Sequence, residues 1–132
     1  YPNKNKTINT NDILMTRSGV AIGKFVLCKE TLKGIFSDFT MRISLKNYNE
    51  EFAYYYFRSS FFQHLIHSDK KGLQNKNIFP IQIREFPMPD IAINKQNLIL
   101  KEIKYRLHNQ EINLKELEEH RKKIDELIEK AI

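Results

Sequence analysis

One segment of the sequence has the residue types of a nucleotide-binding loop. Gly19-Val20-Ala21-Ile22-Gly23-Lys24 contains two glycines and a lysine, as phosphate-binding loops do. Such a loop needs four residues between its glycines and a hydroxyl residue after the lysine, because its amides cradle the phosphates and the hydroxyl binds magnesium. Here three residues separate the glycines, and Phe25 follows the lysine. We therefore predict a turn between strands, with a lysine that can touch a DNA phosphate.

A second pattern has the spacing of a metal-dependent nuclease. Pro89-Asp90 followed by Glu102-Ile103-Lys104 supplies two carboxylates for a metal and a lysine to assist the attacking water. Glu102 and Lys104 must then project to the same side, as residues two apart do on a strand. On a helix they diverge by about 200°, and a helix is predicted here. A small nuclease is therefore only the third hypothesis.

Metal, thiol and methyl-transfer chemistry have weaker signals. His64 and His67 lie one turn apart on a predicted helix, but no cysteine or carboxylate is placed to complete a metal shell. Cys28 is the only cysteine and lies in an apolar run, which favours a buried structural thiol. Neither a Gly-x-Gly-x-x-Gly fingerprint nor the Pro-Pro-aromatic element of amino-methyltransferases is present. We expect a chain without catalytic residues, metal or cofactor.

The remaining candidates are polar and basic residues on predicted turns. The formal net charge is +6, and residues 1–94 carry 13 Lys or Arg against 8 Asp or Glu, whereas residues 95–132 carry 9 against 8. Cationic turns can meet phosphates, and Gln and Asn amides can read adenine in the major groove. The alternative to DNA binding is that the lysine-rich loop within residues 68–77 only contacts solvent. The predicted DNA-binding residues are Arg17, Ser18, Lys24, Lys70, Lys71, Gln74, Asn75 and Lys76.

Short elements must position these residues. Apolar runs at 13–16 and 25–28, and alternation of apolar and polar residues over 39–45, predict three strands. Asn49 followed by two glutamates predicts the start of a helix that reaches about residue 67. Residues 78–86 are predicted to form a turn and a short strand.

The last third of the chain predicts one long helix. From about Lys95 onward there is no glycine or proline, and apolar residues recur in alternating steps of four and three. This spacing is typical of a coiled coil, with Gln110 and Arg121 as polar interruptions. The predicted helix-pairing residues are Ile103, Leu107, Leu114, Leu117, Ile124 and Ile128.

These elements predict an α+β fold, in which a small mixed β/α domain (1–90) precedes one long coiled-coil-forming helix (91–132). The sequence has no signal peptide and no apolar run of about 20 residues, so a soluble cytoplasmic protein is expected. A single cysteine fits a reducing compartment. The chain opens at Tyr1 without a methionine, which favours a fragment or a processed product.

The order of several short motifs resembles the second half of a target-recognition domain from the specificity subunits of type I restriction-modification systems. The motifs are Asn11-Asp12-Ile13-Leu14-Met15-Thr16-Arg17-Ser18-Gly19, Ile22-Gly23-Lys24, the aromatic helix around 54–62, Lys71-Gly72-Leu73-Gln74, and Phe86-Pro87-Met88-Pro89 leading to Gln96. The likeness covers about residues 11–131. Asn11 replaces the usual glycine, Lys95-Gln96 stands where Glu-Gln is common, and the opening part of such a domain should precede Tyr1.

The resemblance implies a subunit that performs no chemistry itself. In this family two recognition domains each read half of a split DNA target, and long helices that pair antiparallel separate them. The implied partners are double-stranded DNA, adenine methyltransferase subunits, a motor-nuclease restriction subunit, and a second recognition domain or second copy bound through the helix. Two alternatives stay open, namely a recognition domain fused behind a methyltransferase in a single-chain restriction enzyme, and a protein-interaction module that does not bind DNA. The DNA target sequence is not predicted.

Overall fold

A computed structural model of the chain describes residues 7–32, 38–68 and 77–132. The chain divides into two compact units, Tyr1–Gln96 and Asn97–Ile132. The first unit contains a small antiparallel sheet with helices, and the second is formed by a long C-terminal helix. The predicted α+β class is confirmed.

Three strands form the sheet, at or inside the predicted positions. They are β1 (Ile13–Thr16), β2 (Phe25–Leu27) and β3 (Thr40–Ile43), in the order β2-β1-β3 with both pairings antiparallel. The period-two alternation of β1 decides which of its side chains face the core. Ile13 and Met15 are 1% and 0% exposed, and each lies opposite an apolar residue on both neighbouring strands.

The single helix predicted after Asn49 is in fact two, α1 (Glu50–Arg58) and α2 (Ser60–Ser68). Asn49 is the N-cap as predicted, since its side chain accepts a hydrogen bond from the amide of Phe52 at 3.2 Å. Ser59 interrupts the helix in an extended conformation, donating its hydroxyl to the carbonyl of Tyr56 at 2.6 Å. The same oxygen accepts from the amide of Phe62 at 3.3 Å, so one serine closes α1 and caps α2.

This interruption decides which aromatic residues enter the core. Phe57, the second-to-last residue of α1, is 2% exposed. Its ring stacks on Phe25 with a centroid separation of 4.7 Å and lies 5.0 Å from the ring of Phe62. The buried cluster among the described residues is Ile13, Met15, Phe25, Ala53, Phe57, Phe62, Ile66 and Ile78.

The prediction of a turn and strand over 78–86 is wrong, because residues Pro80–Glu85 form a helix, α3. Proline fits the first turn of a helix, where its missing N–H would have no partner and its fixed φ is already suitable. Gln82 accepts a hydrogen bond from the amide of Phe79 at 2.7 Å and completes that first turn. Ile81 on this helix is 67% exposed.

The segment that follows α3 is fixed by side-chain hydrogen bonds to its backbone. The hydroxyls of Tyr48 and Tyr56 donate to the carbonyls of Pro89 and Pro87 at 2.7 and 2.6 Å. Gln96 is completely buried and is the main polar connection of this region. Its Oε1 accepts from the amide of Asn49 at 2.8 Å, while its Nε2 donates to the carbonyls of Asn47 and Ile91 at 3.1 and 2.7 Å.

The long helix α4 (Ile93–Ala131) has 39 residues, and its first residue lies between the predicted domain start at 91 and the predicted helical pattern from about Lys95. At about 1.5 Å per residue its length is roughly 58 Å. Every residue from 110 to 132 is exposed, including the apolar ones. In the ranges 7–32, 38–68 and 77–132, no helix is both long and apolar enough to cross a membrane.

Candidate nucleic-acid interface

The connection between β1 and β2, residues 17–24, contains the predicted turn. Gly19 and Gly23 both have positive φ, at 85° and 82°, which glycine adopts readily. The amides of Ile22, Gly23 and Lys24 donate to carbonyls of the turn or of Thr16, at 3.2, 2.9 and 3.1 Å. Since these three amides are already used, they cannot cradle a nucleotide phosphate as a phosphate-binding loop would.

Helix α2 holds the end of this turn. The Nε2 of Gln63 donates to the carbonyl of Gly23 at 3.0 Å, and a Cβ placed on Gly23 would lie 3.4 Å from Cγ2 of Ile66. Gly19 has open space around the same position. The positive φ favours glycine at both positions, and at Gly23 the absence of a side chain also permits close packing against α2.

The C-terminal end of the predicted basic loop lies beside the same turn. Asn77 forms an isolated antiparallel bridge with Ser18, and the amide of Ile78 donates to the carbonyl of Arg17 at 2.7 Å. The predicted DNA-binding residues of the loop itself lie outside the described residues. They are Lys70, Lys71, Gln74, Asn75 and Lys76. Asn77, the first described residue after them, is bridged to the β1–β2 turn.

The predicted contacts Arg17, Ser18 and Lys24 lie on this turn in different environments. Lys24 is exposed. The Nε of Arg17 donates to the carbonyl of Asp38 at 2.6 Å, which leaves the other guanidinium N–H groups to meet a phosphate. The hydroxyl oxygen of Ser18 is buried and has no hydrogen-bond partner in the described part of the chain. Contact between that hydroxyl and DNA therefore requires the turn to rearrange.

Three residues beside Lys24 were not selected from the sequence. Tyr54, Arg58 and Gln63 line, with Lys24, a concave surface of about 390 Å³. Arg58 donates to the hydroxyl of Tyr54 at 2.9 Å, one helical turn away. The i,i+4 spacing of Tyr54 and Arg58 is visible in the sequence, but their proximity to Lys24 depends on the packing of α1 against β2.

The other chemically reactive side chains do not assemble into a site. Cys28 is half-buried, and burial, followed by the nearby Asp12 carboxylate, raises the pKa of its thiol, so the protonated form is favoured. His64 and His67 are exposed. Among the residues that the structure describes, no group of three or more His, Cys, Asp or Glu could hold a metal ion.

The nuclease pattern is also not assembled in the way its chemistry needs. Glu102 and Lys104 lie on one continuous helix, where residues two apart point in divergent directions. The carboxylate of Glu102 instead accepts from Nε of Arg106 at 2.8 Å, in an exposed i,i+4 ion pair. The strand that would align the two side chains is replaced by α4.

The predicted helix-pairing residues lie along α4 and remain accessible to a partner. Ile103 is half-buried, and the exposed fractions of the others run from 40% at Leu107 to 59% at Leu117. The other members of this seam are Leu114, Ile124 and Ile128. A row of large apolar side chains on a helix exposed all round is typical of a surface that another helix covers.

Comparisons of the chain with protein-family models, with curated proteins and with solved structures found no match. Function must therefore be inferred from the residues, their geometry and the resemblance described above.

Proposed function

We propose that this chain is a non-catalytic, sequence-specific DNA-binding module of a type I restriction-modification specificity subunit. The observation that supports the proposal is that Asn77, the residue that follows the lysine-rich residues 70–76 in the sequence, is bridged to Ser18. Ser18 lies in the β1–β2 turn, which also carries Arg17 and Lys24, and the amide of Ile78 donates to the carbonyl of Arg17 at 2.7 Å. A protein surface that approaches a duplex needs several such polar segments on one side.

The charge distribution supports this proposal. The basic excess lies before residue 95, in the part of the chain that contains the turn and the lysine-rich segment. Phosphate neutralisation by lysine and arginine supplies a large share of DNA affinity and makes binding sensitive to salt. The long helix, with nearly balanced charges, is assigned a different role.

In the proposed complex, α4 pairs with a partner helix through its apolar seam. The partner is the corresponding helix of a second recognition domain or of a second copy, and the length of α4 helps to set the distance between two DNA half-sites. Adenine methyltransferase subunits clasp the paired helices, so that the complex methylates adenine and, with its motor-nuclease subunit, restricts unmodified DNA. A recognition domain fused to a methyltransferase uses the same surfaces.

The DNA-binding proposal predicts a steep dependence of affinity on salt. We expect the logarithm of the association constant for duplex DNA to fall linearly with the logarithm of salt concentration, with a slope of about −0.9 for each neutralised phosphate. Replacing Lys70, Lys71 and Lys76 by glutamate should weaken binding and make that slope shallower. Fluorescence anisotropy of a labelled duplex over a series of salt concentrations measures both.

The control carries the same charge change on α4, with Lys95, Lys101 and Lys123 replaced by glutamate. It should keep the wild-type slope if the interface is on the sheet-containing unit. The proposed interface would be contradicted if the wild type and both variants had equal salt slopes, or if both variants lost the same amount of DNA affinity.

The exposed apolar seam favours a second candidate function, a protein-interaction module that does not bind DNA. In that case a partner is recruited through α4, and the lysine-to-glutamate variant of the 70–76 segment retains full function. Co-purification separates the two proposals, because only the first requires an adenine methyltransferase subunit among the captured partners.

A further inference from the structure

The concave surface beside the β1–β2 turn, hereafter the basic cleft, has a lining suited to an anion. Its volume is about 390 Å³. Two cations, Lys24 and Arg58, contribute to it, and no carboxylate is found among the described lining residues. The complete described lining is Gly23, Lys24, Phe25, Val26, Tyr54, Arg58 and Gln63.

A single side-chain amide connects the backbone segments that carry the two cations. The Nε2 of Gln63 donates to the carbonyl of Gly23 at 3.0 Å and to the carbonyl of Phe57 at 2.8 Å. These two residues directly precede Lys24 and Arg58. Because both N–H groups of one amide are used, the β1–β2 turn and the end of α1 are held at a fixed separation.

An aromatic contact fixes the same two segments a second time. Phe25, which directly follows Lys24, stacks on Phe57 with a centroid distance of 4.7 Å and an angle of 13° between the rings. Both rings are buried, with 6% and 2% of their surface exposed. The main-chain positions of Lys24 and Arg58 are therefore set by the core rather than by a mobile loop.

The guanidinium of Arg58 is itself oriented. Its NH1 donates to the hydroxyl of Tyr54 at 2.9 Å, and its central carbon lies 5.2 Å from the centroid of the Tyr54 ring. Arginine has five N–H donors, so most of the fork stays available to an incoming oxyanion. Lys24 and Arg58 both line this concave wall, so an anion bound there is attracted by two positive charges.

We propose that the basic cleft binds a phosphate of the DNA backbone through Lys24 and Arg58, with Tyr54 and Gln63 as positioning residues. This inference rests on the proposed DNA-binding function and extends it to a defined contact. Two cations whose main-chain positions are set by the core suit a contact that fixes the register of the protein on the duplex without reading a base. Base recognition then falls to other residues of the interface.

The test compares Lys24→Gln, Arg58→Gln and the double variant in the full chain. We expect the double variant to bind all duplexes more weakly by a similar factor, and its salt slope to be shallower by about 0.9 for the one phosphate lost. If one phosphate contacts both cations, the second substitution should cost much less than the first, which is a non-additive effect. Anisotropy titrations of the four proteins at several salt concentrations supply all these values.

The control variant Lys46→Gln with Arg84→Gln removes one lysine and one arginine from exposed positions of the same unit, outside the basic cleft. It should keep the wild-type slope, and unchanged urea midpoints should show that all variants are folded. If the wild type and the double variant bind duplexes with the same steep salt slope, the proposed phosphate contact in the basic cleft is wrong, but the proposed DNA-binding function is not. A wild type with no salt-dependent binding overturns the proposed function and the cleft together.

Free inorganic phosphate and a backbone phosphate both present oxyanions that the basic cleft could bind. Inorganic phosphate is therefore the probe that distinguishes these two ligands. Titration of the wild type with inorganic phosphate, followed by NMR at the arginine Nε–H groups, should give no saturable shift at millimolar concentration. A saturable shift that the double variant abolishes, with an unchanged DNA slope, would assign the cleft to a free anion and overturn the DNA contact.

Discussion

Replacing Leu114 or Leu117 by aspartate is expected to weaken association through α4 more than about 100-fold. Both residues lie in the apolar seam, are 58% and 59% exposed in the single chain, and become buried when a partner helix covers them. A carboxylate left unpaired in such an interface costs roughly 3 kcal/mol or more, and about 2.7 kcal/mol corresponds to 100-fold. Sedimentation velocity over a range of protein concentrations measures the change where the partner helix is that of a second copy.

The matched control is Ile112→Asp, which introduces the same charge on the same helix. Ile112 is two residues from Leu114 and so points about 200° away from it around the helix, with 43% of its surface exposed. It should leave the association state unchanged. Association that survives Leu117→Asp, or that falls equally in Ile112→Asp, would contradict the seam.

The second large effect is expected at Gln96, where substitution by leucine should destabilise the first unit by about 3 kcal/mol or more. The fully buried side chain satisfies one amide and two carbonyls. Leucine would remove all three of these partly buried hydrogen bonds, and a group left without a partner away from water costs about 1–3 kcal/mol. The amide of Asn49 is among them, so the start of α1 should loosen as well.

Urea unfolding followed by tyrosine fluorescence and far-ultraviolet circular dichroism measures this loss. The control is Lys95→Leu, the exposed neighbour on the same helical turn, which should change the unfolding free energy by less than about 0.5 kcal/mol. A Gln96→Leu protein as stable as the control would mean that water or rearranged backbone replaces the three hydrogen bonds.

The sequence predicted the strands and the long helix because their signals are local. Alternation places Ile13 and Met15 on the buried side of β1, and the lack of glycine and proline after Lys95 permits a continuous α4. Asn49 was identified as a cap from its own type and the glutamates that follow it. Such features depend on neighbours within one or two turns of the chain.

The features that were missed depend on tertiary contacts or on competing local signals. The break at Ser59 was hidden because serine is tolerated inside helices, and its capping of two helix ends appears only in the fold. Helix α3 was predicted as a turn and a short strand, although Pro80 favours the start of a helix. The basic cleft joins residues 34 positions apart, Lys24 and Arg58, and no local pattern links them.

The central claim, that the chain recognises DNA by sequence, is tested most directly by selection from a pool of random duplexes. Bound duplexes are recovered over several rounds at physiological salt and sequenced. We predict enrichment of one short motif, with each changed base pair costing about 1–3 kcal/mol in a subsequent binding titration. The Lys24→Gln, Arg58→Gln double variant should bind more weakly but select the same motif. Recovery of all sequences in proportion to their input, with equal affinity for each, would contradict the claim.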